Sequence, residues 1–205
     1  NTPGSYTVKL TVYKGSSSAV ETKINYLTVY PNPTVNFNAN TPTTGCSPLT
    51  VSFQDASTLN APGSGTYSWF WGSGASGTTP TATFTNAGTQ DVTLTVTNSY
   101  GCSALLTKTA FINVRPRPVP SFTASPVDFC SSPASTSFTG SATGNSPFTY
   151  VWQYGDGGTP GSGSSTTHTY TAPPNTWSPK LIVTDANGCK DSLTRPNYIN
   201  IHYPT

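Results

Sequence analysis

"SPKLIVTDANGCKDSLTRPNYINI", Ser178 to Ile201, has a counterpart in "DVTLTVTNSYGCSALLTKTAFINV", Asp91 to Val114. Val96 falls on Val183, Cys102 on Cys189 and Val114 on Ile201, each pair 87 residues apart. An earlier copy, "TVKLTVYKGSSSAVETKINYLTV" at Thr7 to Val29, precedes the Asp91 stretch by 84 or 85 residues, with Leu10 on Leu94 and Val12 on Val96. Self-similarity at a fixed period marks an array of structural units. The chain therefore reads as two whole repeats preceded by the tail end of another.

Each repeat is a string of short strands. Val35 and Phe37 alternate with polar residues, as do Val51 and Phe53, and Pro, Gly and Asn stand between such runs. Period-two alternation bounded by turn residues is the pattern of half-buried strands, whereas no stretch sustains the i, i+3, i+4 pattern of a helix. About seven short strands in some 85 residues, with turn signals every 8 to 12, predict a two-sheet sandwich of immunoglobulin type. The expected fold is all-β: tandem immunoglobulin-like β-sandwiches in an extended array. The expected units are 1–31, the C-terminal part of a truncated repeat, then 32–116 and 117–205. The joints "VYPNP" and "VRPRPVP" carry proline at alternate positions, which stiffens extended backbone. Two or three strands without a second sheet are not independently stable. Segment 1–31 is therefore expected to be completed by residues preceding Asn1, or by other copies through strand addition.

Composition excludes several functions. Only 8% of the residues are charged and the net charge is +2, against about 25% charged residues in an ordinary domain. The basic residues are scattered singly, so no footprint for nucleic acid exists. No apolar run approaches the roughly 20 residues of a membrane span.

The four cysteines fall two per complete repeat, Cys46 with Cys102 and Cys130 with Cys189, separated by 56 and 59 residues. A disulfide within each repeat is the economical reading, and it implies an oxidising compartment outside the cell or on its outer surface. Zinc is the rival, but no C-x-x-C occurs and His168 and His202 lack partners at ligand spacing.

Strand alternation puts Tyr67, Trp69 and Trp71 on one face, and Tyr150, Trp152 and Tyr154 on another. Trp69, Trp152, Tyr154 and Trp177 are expected in the core. Phe70 points the opposite way and is the candidate for contact with a partner or a surface glycan. In "YGDGG" the acid Asp156 invites three readings. It could be a general acid, yet no second carboxylate pairs with it. It could join calcium, as could Asp185, though hard cations want about six or more oxygens. Or it fixes a turn in which Gly155 and Gly157 supply positive φ. The second repeat has Ser73 at this position, which favours the turn. His168 is expected to be a hydrogen-bonding fixture, since no Gly-x-Ser-x-Gly elbow accompanies it. No catalytic residue, metal site or cofactor is expected. "DSL" at Asp191 to Leu193 makes Ser192 a candidate for O-glycosylation.

"YVWQYGDGG", "THTY" and "KLIVTDANGC" resemble the W-D-F-G-D-G, H-T-Y and L-T-V-T-D-x-N-G-C signatures of the PKD (polycystic kidney disease) domain. The second repeat keeps Trp69 and Trp71 but has "TFT" for H-T-Y, and the first keeps only its closing strands. The Asn-Gly-Cys ending is similar to that of tandem PKD modules in very large surface proteins of Bacteroidota. Those proteins are commonly exported by the type IX system and include gliding adhesins. The resemblance implies a non-enzymatic spacer, adhesive or filament-forming segment whose partners are neighbouring repeats. Its alternative is a carbohydrate- or protein-binding accessory module of a secreted hydrolase.

Overall fold

The computed structural model describes residues 2–72, 74–76, 78–171 and 175–202. All regular structure among them is β. The chain divides into two compact units, Asn1–Thr85 with Thr89–Asn113, and Val114–Thr205 with Asn86–Gly88.

The first unit opens with an antiparallel hairpin of β1 (Gly4–Lys14) and β2 (Ser17–Val29). Leu10 lies opposite Glu21 and Val12 opposite Ala19. Gly15 turns the chain at φ 57°. The second repeat then folds through β3 (Phe37–Ala39), β4 (Thr44–Cys46), β5 (Leu49–Asp55), β6 (Thr66–Phe70), β7 (Gly74–Ser76), β8 (Thr81–Phe84), β9 (Gly88–Thr97) and β10 (Ser103–Arg115). One sheet has the order β3-β5-β8, and the other β4-β10-β9-β6-β7. This is a sandwich because apolar residues alternate on strands of both sheets. Val51 and Phe53 of β5, Trp69 of β6 and Val92, Leu94 and Val96 of β9 are all fully buried. Phe37 meets Trp69 edge-on at 5.1 Å, and Trp71 stacks on Phe53 at 5.4 Å.

The second unit contains the third repeat: β11 (Val119–Ser125), β12 (Asp128–Phe129), β13 (Ala134–Thr143), β14 (Thr149–Gln153), β15 (Gly161–Ser162), β16 (Ser165–Tyr170), β17 (Thr176–Trp177), β18 (Lys180–Thr184), β19 (Lys190–Thr194) and β20 (Ile199–Ile201). The β11-β13-β16 sheet faces strands that form the runs β15-β14-β18-β19 and β12-β20-β17. The long closing hairpin is split because Pro179 and Pro196 lack an N–H for the ladder. Its core centres on Trp152, which is fully buried, donates from Nε1 to the Gly163 carbonyl at 2.9 Å and packs against Phe122 and Phe138 at 5.3 Å. Tyr154 and Trp177 are buried in the same cluster.

The hairpin β1–β2 and the closing strands of the two complete repeats share one irregularity. Asn25, Ala110 and Asn197 have φ of 53°, 48° and 49°, and each precedes an aromatic residue. Two positions earlier stands a cation over that aromatic: Lys23 over Tyr26 at 4.9 Å, Lys108 over Phe111 at 5.1 Å, Arg195 over Tyr198 at 4.9 Å. In the complete repeats the same cation also lies over the first-strand phenylalanine, Phe37 or Phe122.

Candidate functional site

The glycine-rich turn after β14 is built around a connected polar cluster. Gly155 has φ 89°, and a Cβ there would come within 3.0 Å of the Ser178 backbone. Only glycine fits both the conformation and the space. The turn that follows is closed by Asp156, whose Oδ1 accepts from the Gly158 N–H at 3.0 Å. Its Oδ2 lies 2.6 Å from Nε2 of His168 on β16. The imidazole stacks on Tyr154 at 3.8 Å and meets Tyr170 edge-on at 4.7 Å. The Tyr170 hydroxyl donates to the Tyr154 carbonyl at 3.0 Å. Thus Trp-x-Tyr-Gly-Asp-Gly and His-Thr-Tyr, separate in sequence, form one clasp between the two sheets.

Electrostatics agree with that role. Burial works against ionisation of Asp156, but the hydrogen bonds from His168 and the Gly158 N–H outweigh it and hold the carboxyl below its usual range. Burial pushes the Tyr170 phenol well above its usual range, helped by the Asp156 carboxylate and Tyr154. An acid–histidine pair serves catalysis when the imidazole activates a nucleophile. Here, among the described residues, no hydroxyl or thiol hydrogen-bonds the His168 ring. The carboxylate, locked by two donors, acts as a fastener. The sequence reading placed Asp156 in a turn and His168 at a fixture, but it did not join them. Ser73, the counterpart of Asp156, lies outside the described residues.

The cysteines require a correction. Cys46 and Cys189 are disulfide-bonded, whereas Cys102 and Cys130 are free thiols. The expected bonds Cys46–Cys102 and Cys130–Cys189 are therefore not made. The cause is their placement at opposite poles of each repeat. Cys102 closes the turn at the start of β10, where its N–H donates to Asn98 Oδ1 at 3.1 Å, and Cys189 repeats this with Asp185 Oδ1 at 2.8 Å. Cys46 ends β4, alongside β10, and Cys130 follows β12, whose Phe129 lies opposite Ile201. The 13 residues of β10 separate the two places by about 40 Å of extended chain, whereas a disulfide needs Cα atoms within about 7 Å.

Asn98 was not singled out by sequence reasoning, and Asp185 was weighed there only as a calcium ligand, not as the acceptor that closes the turn before Cys189. The amide of Asn98 also donates to the carbonyls of Pro31 and Leu59 at 2.9 and 3.2 Å, tying the joint to the sandwich. Tyr100 of the same turn stacks on Tyr30 at 3.9 Å. The signal available in the sequence was the acid or amide four positions before each Asn/Tyr-Gly-Cys cysteine.

Phe70 is 58% exposed. It borders an open groove of about 410 Å³ lined also by Trp71, Gln90, Asp91, Thr93 and Thr107. Ser192 is exposed on β19, with its N–H donating to Asp191 Oδ1 at 2.7 Å. Among the described residues, no three or more His, Cys, Asp or Glu gather into a metal site. Likewise no helix is long and apolar enough to cross a membrane.

The PKD domain family model matches residues 30–114 and 115–201. The chain belongs to the PKD domain family. No curated protein matches it. Among solved structures, this PKD chain is similar to the N-terminal eight Ig domains of Down Syndrome Cell Adhesion Molecule, at 14% identity and TM-score 0.46, covering 95% of this chain and 31% of that one. A structure on the promiscuous specificity of carbohydrate-binding modules from the β-sandwich superfamily matches at 14% identity and TM-score 0.39, covering 82% and 86%. Three N-terminal domains of the bacteriophage RB49 Highly Immunogenic Outer Capsid protein match at 12% identity and TM-score 0.32, covering 84% and 59%. The chain thus spans less than two thirds of the adhesion-molecule and capsid-protein chains. PKD and immunoglobulin-like domains are typical of extracellular proteins and typically non-catalytic.

Proposed function

We propose that this chain is a non-enzymatic structural or adhesive segment of a large secreted or cell-surface multi-repeat protein. The observation that carries the reading is the succession of two complete PKD sandwiches whose best-formed polar cluster is spent on holding the fold together. In arrays of this kind each module contributes its own stability and the array sets reach. The finer setting is a surface adhesin or filament of the gliding type, exported by the type IX system, and it rests on the sequence style of the Asn-Gly-Cys repeats. The hairpin β1–β2 is proposed to be the closing hairpin of a further PKD repeat, with units at 1–31, 32–116 and 117–205. Its second sheet would come from a longer chain or from another molecule.

Single-molecule stretching of the full chain under reducing conditions tests the spacer role. Two discrete unfolding events are expected, each releasing about 300 Å of chain for a repeat of this length. Gradual extension without discrete events would remove the mechanical reading.

A second reading has its own observation, the exposed Phe70 ring beside a groove lined by hydroxyl and amide groups. An aromatic face flanked by such groups suits a sugar ring or an apolar protein side chain. Calorimetry against soluble polysaccharides checks it: heat that vanishes in Phe70→Ala supports an accessory binding module, and no heat with wild type removes the glycan form of it.

A further inference from the structure

Asn98 and Asp185 hold the same place in the two complete repeats, 87 residues apart and each four positions before a Gly-Cys cysteine. One oxygen of each does the same work. Asn98 Oδ1 accepts from the N–H groups of Tyr100 and Cys102, both at 3.1 Å. Asp185 Oδ1 accepts from those of Asn187 and Cys189 at 2.9 and 2.8 Å. The second terminal atom therefore also falls in one place, and there the repeats differ. In the second repeat it is an amide nitrogen that donates to the carbonyls of Pro31 and Leu59. In the third it is the carboxylate oxygen Oδ2, buried and without a hydrogen-bond partner.

The backbone that receives the Asn98 amide has its counterpart in the third repeat. Pro116 stands 85 residues after Pro31, and Gly144 stands 85 after Leu59. The pairing of Thr34 with Thr58, just before Leu59, recurs as that of Val119 with Thr143, just before Gly144. The loop is packed on both sides: a Cβ on Gly144 would lie 3.3 Å from the Pro118 Cα, and the Asn145 carbonyl accepts from the Ala186 N–H at 3.1 Å. By this equivalence Asp185 Oδ2 faces the carbonyls of Pro116 and Gly144, acceptor toward acceptor, on a residue only 6% exposed. A buried carboxylate is stable when it is paired or bound to a metal. Oxygens that converge without a donor suit a hard cation, and backbone carbonyls beside a carboxylate suit calcium better than magnesium, which keeps most of its water.

We propose that the third repeat binds one calcium ion between Asp185 Oδ2 and the carbonyls of Pro116 and Gly144, with water completing the shell. All three residues belong to the second unit. The ion does there what the Asn98 amide does in the second repeat: it ties the segment leading into β11 and the loop after β13 to the turn before β19. With one carboxylate among the ligands the affinity is low, a Kd of about 10⁻⁴–10⁻³ M, the range of extracellular calcium modules. The proposal stands on the Asn98–Asp185 equivalence and does not depend on the adhesive reading.

The test melts the full chain and two variants, Asp185→Asn and Asn98→Asp, in EDTA and in about 10 mM calcium chloride, roughly tenfold or more above that Kd, with sodium chloride matching the ionic strength. Calcium should raise the melting of the wild-type third repeat by about 5 °C or more. Asp185→Asn should lose this response and, in EDTA, melt no lower than wild type, because its amide can donate to the same carbonyls. Asn98→Asp should do the reverse and make the second repeat calcium-responsive as well. In amide spectra of wild type, calcium should shift the N–H signals of Asn187 and Cys189. No calcium response in wild type, an undiminished response in Asp185→Asn, or a lower melting of Asp185→Asn than of wild type in EDTA would each overturn the proposal.

Discussion

The hairpin β1–β2 and the closing hairpins of the two complete repeats are built to one pattern and meet different fates. Leu10 and Val12 are 61% and 58% exposed, whereas Leu94, Val96, Leu181 and Val183, at the equivalent positions, are 0% exposed. Leu27 is exposed, but its counterparts Ile112 and Ile199 are buried. The irregularity at Asn25, Ala110 and Asn197 nonetheless survives in all three, with its cation over the following aromatic. Strand pairing, turn and bulge are thus local properties of the hairpin, while burial is conferred by the opposing sheet. Tyr6, Val8, Leu10 and Val12 thus form an exposed apolar face.

The sharpest way to break this comparison is to truncate equivalent leucines. Leu94→Ala or Leu181→Ala should cost about 2–5 kcal/mol of unfolding free energy, through lost burial and a cavity. Leu10→Ala should stay within about 0.5 kcal/mol, as an exposed substitution does. Urea unfolding followed by tryptophan fluorescence reads both. A comparable loss at Leu10 would mean that the hairpin face is covered in solution.

A smaller effect separates the third repeat, which has the Asp156–His168 clasp, from the second, which has serine at that position. Asp156→Asn should destabilise the third repeat by about 1.5–3 kcal/mol, the range of a hydrogen bond to a charged group. The pH dependence has a definite sign. Because the folded carboxyl titrates below its unfolded value of about 4, its contribution is full above that value and fades as pH falls through the lower, folded one. Wild type should therefore lose stability on the acid side more steeply than Asp156→Asn. Parallel acid limbs in thermal melts would show the clasp to be inert.

The cation at the bulge offers a third contrast. Lys108 packs over both Phe37 and Phe111 and donates to the Phe37 carbonyl, whereas Lys23 lies over Tyr26. Lys108→Ala should cost about 1–2 kcal/mol and Lys23→Ala less than about 0.5. Equal values would locate the interaction in the hairpin itself. The smallest effect is expected at Phe70→Ala, within about 0.5 kcal/mol, since that ring faces outward from a strand whose next neighbour, Trp69, is fully buried. A larger loss would make Phe70 a packing residue and remove it from any binding surface.

Much of this was legible without coordinates, for a physical reason. Side chains alternate across a strand, so the residues of one sheet face are spelled out at every second position, and Trp69, Trp152 and Tyr154 could be assigned inward from the sequence. Glycines with positive φ announce turns, as Gly155 and Gly157 do. The repeat supplied the rest, because a pattern seen twice is not accidental. The joining of Asp156 to His168 was not legible, since it depends on the β14 turn and β16 meeting across the two sheets, 12 residues apart in sequence. Sequence also paired Cys46 with Cys102 and Cys130 with Cys189, whereas Cys102 and Cys130 are free. Spacing tells which cysteines are equivalent, but a disulfide answers to distance through space, and an extended strand puts residues near its two ends far apart however regular their spacing. By itself the sequence determined the strands, the turns, the repeat and the family. Which apolar faces are covered, which acid meets the histidine and which thiols remain unbonded were decided by tertiary structure, because each depends on what lies across a sheet or at its far end.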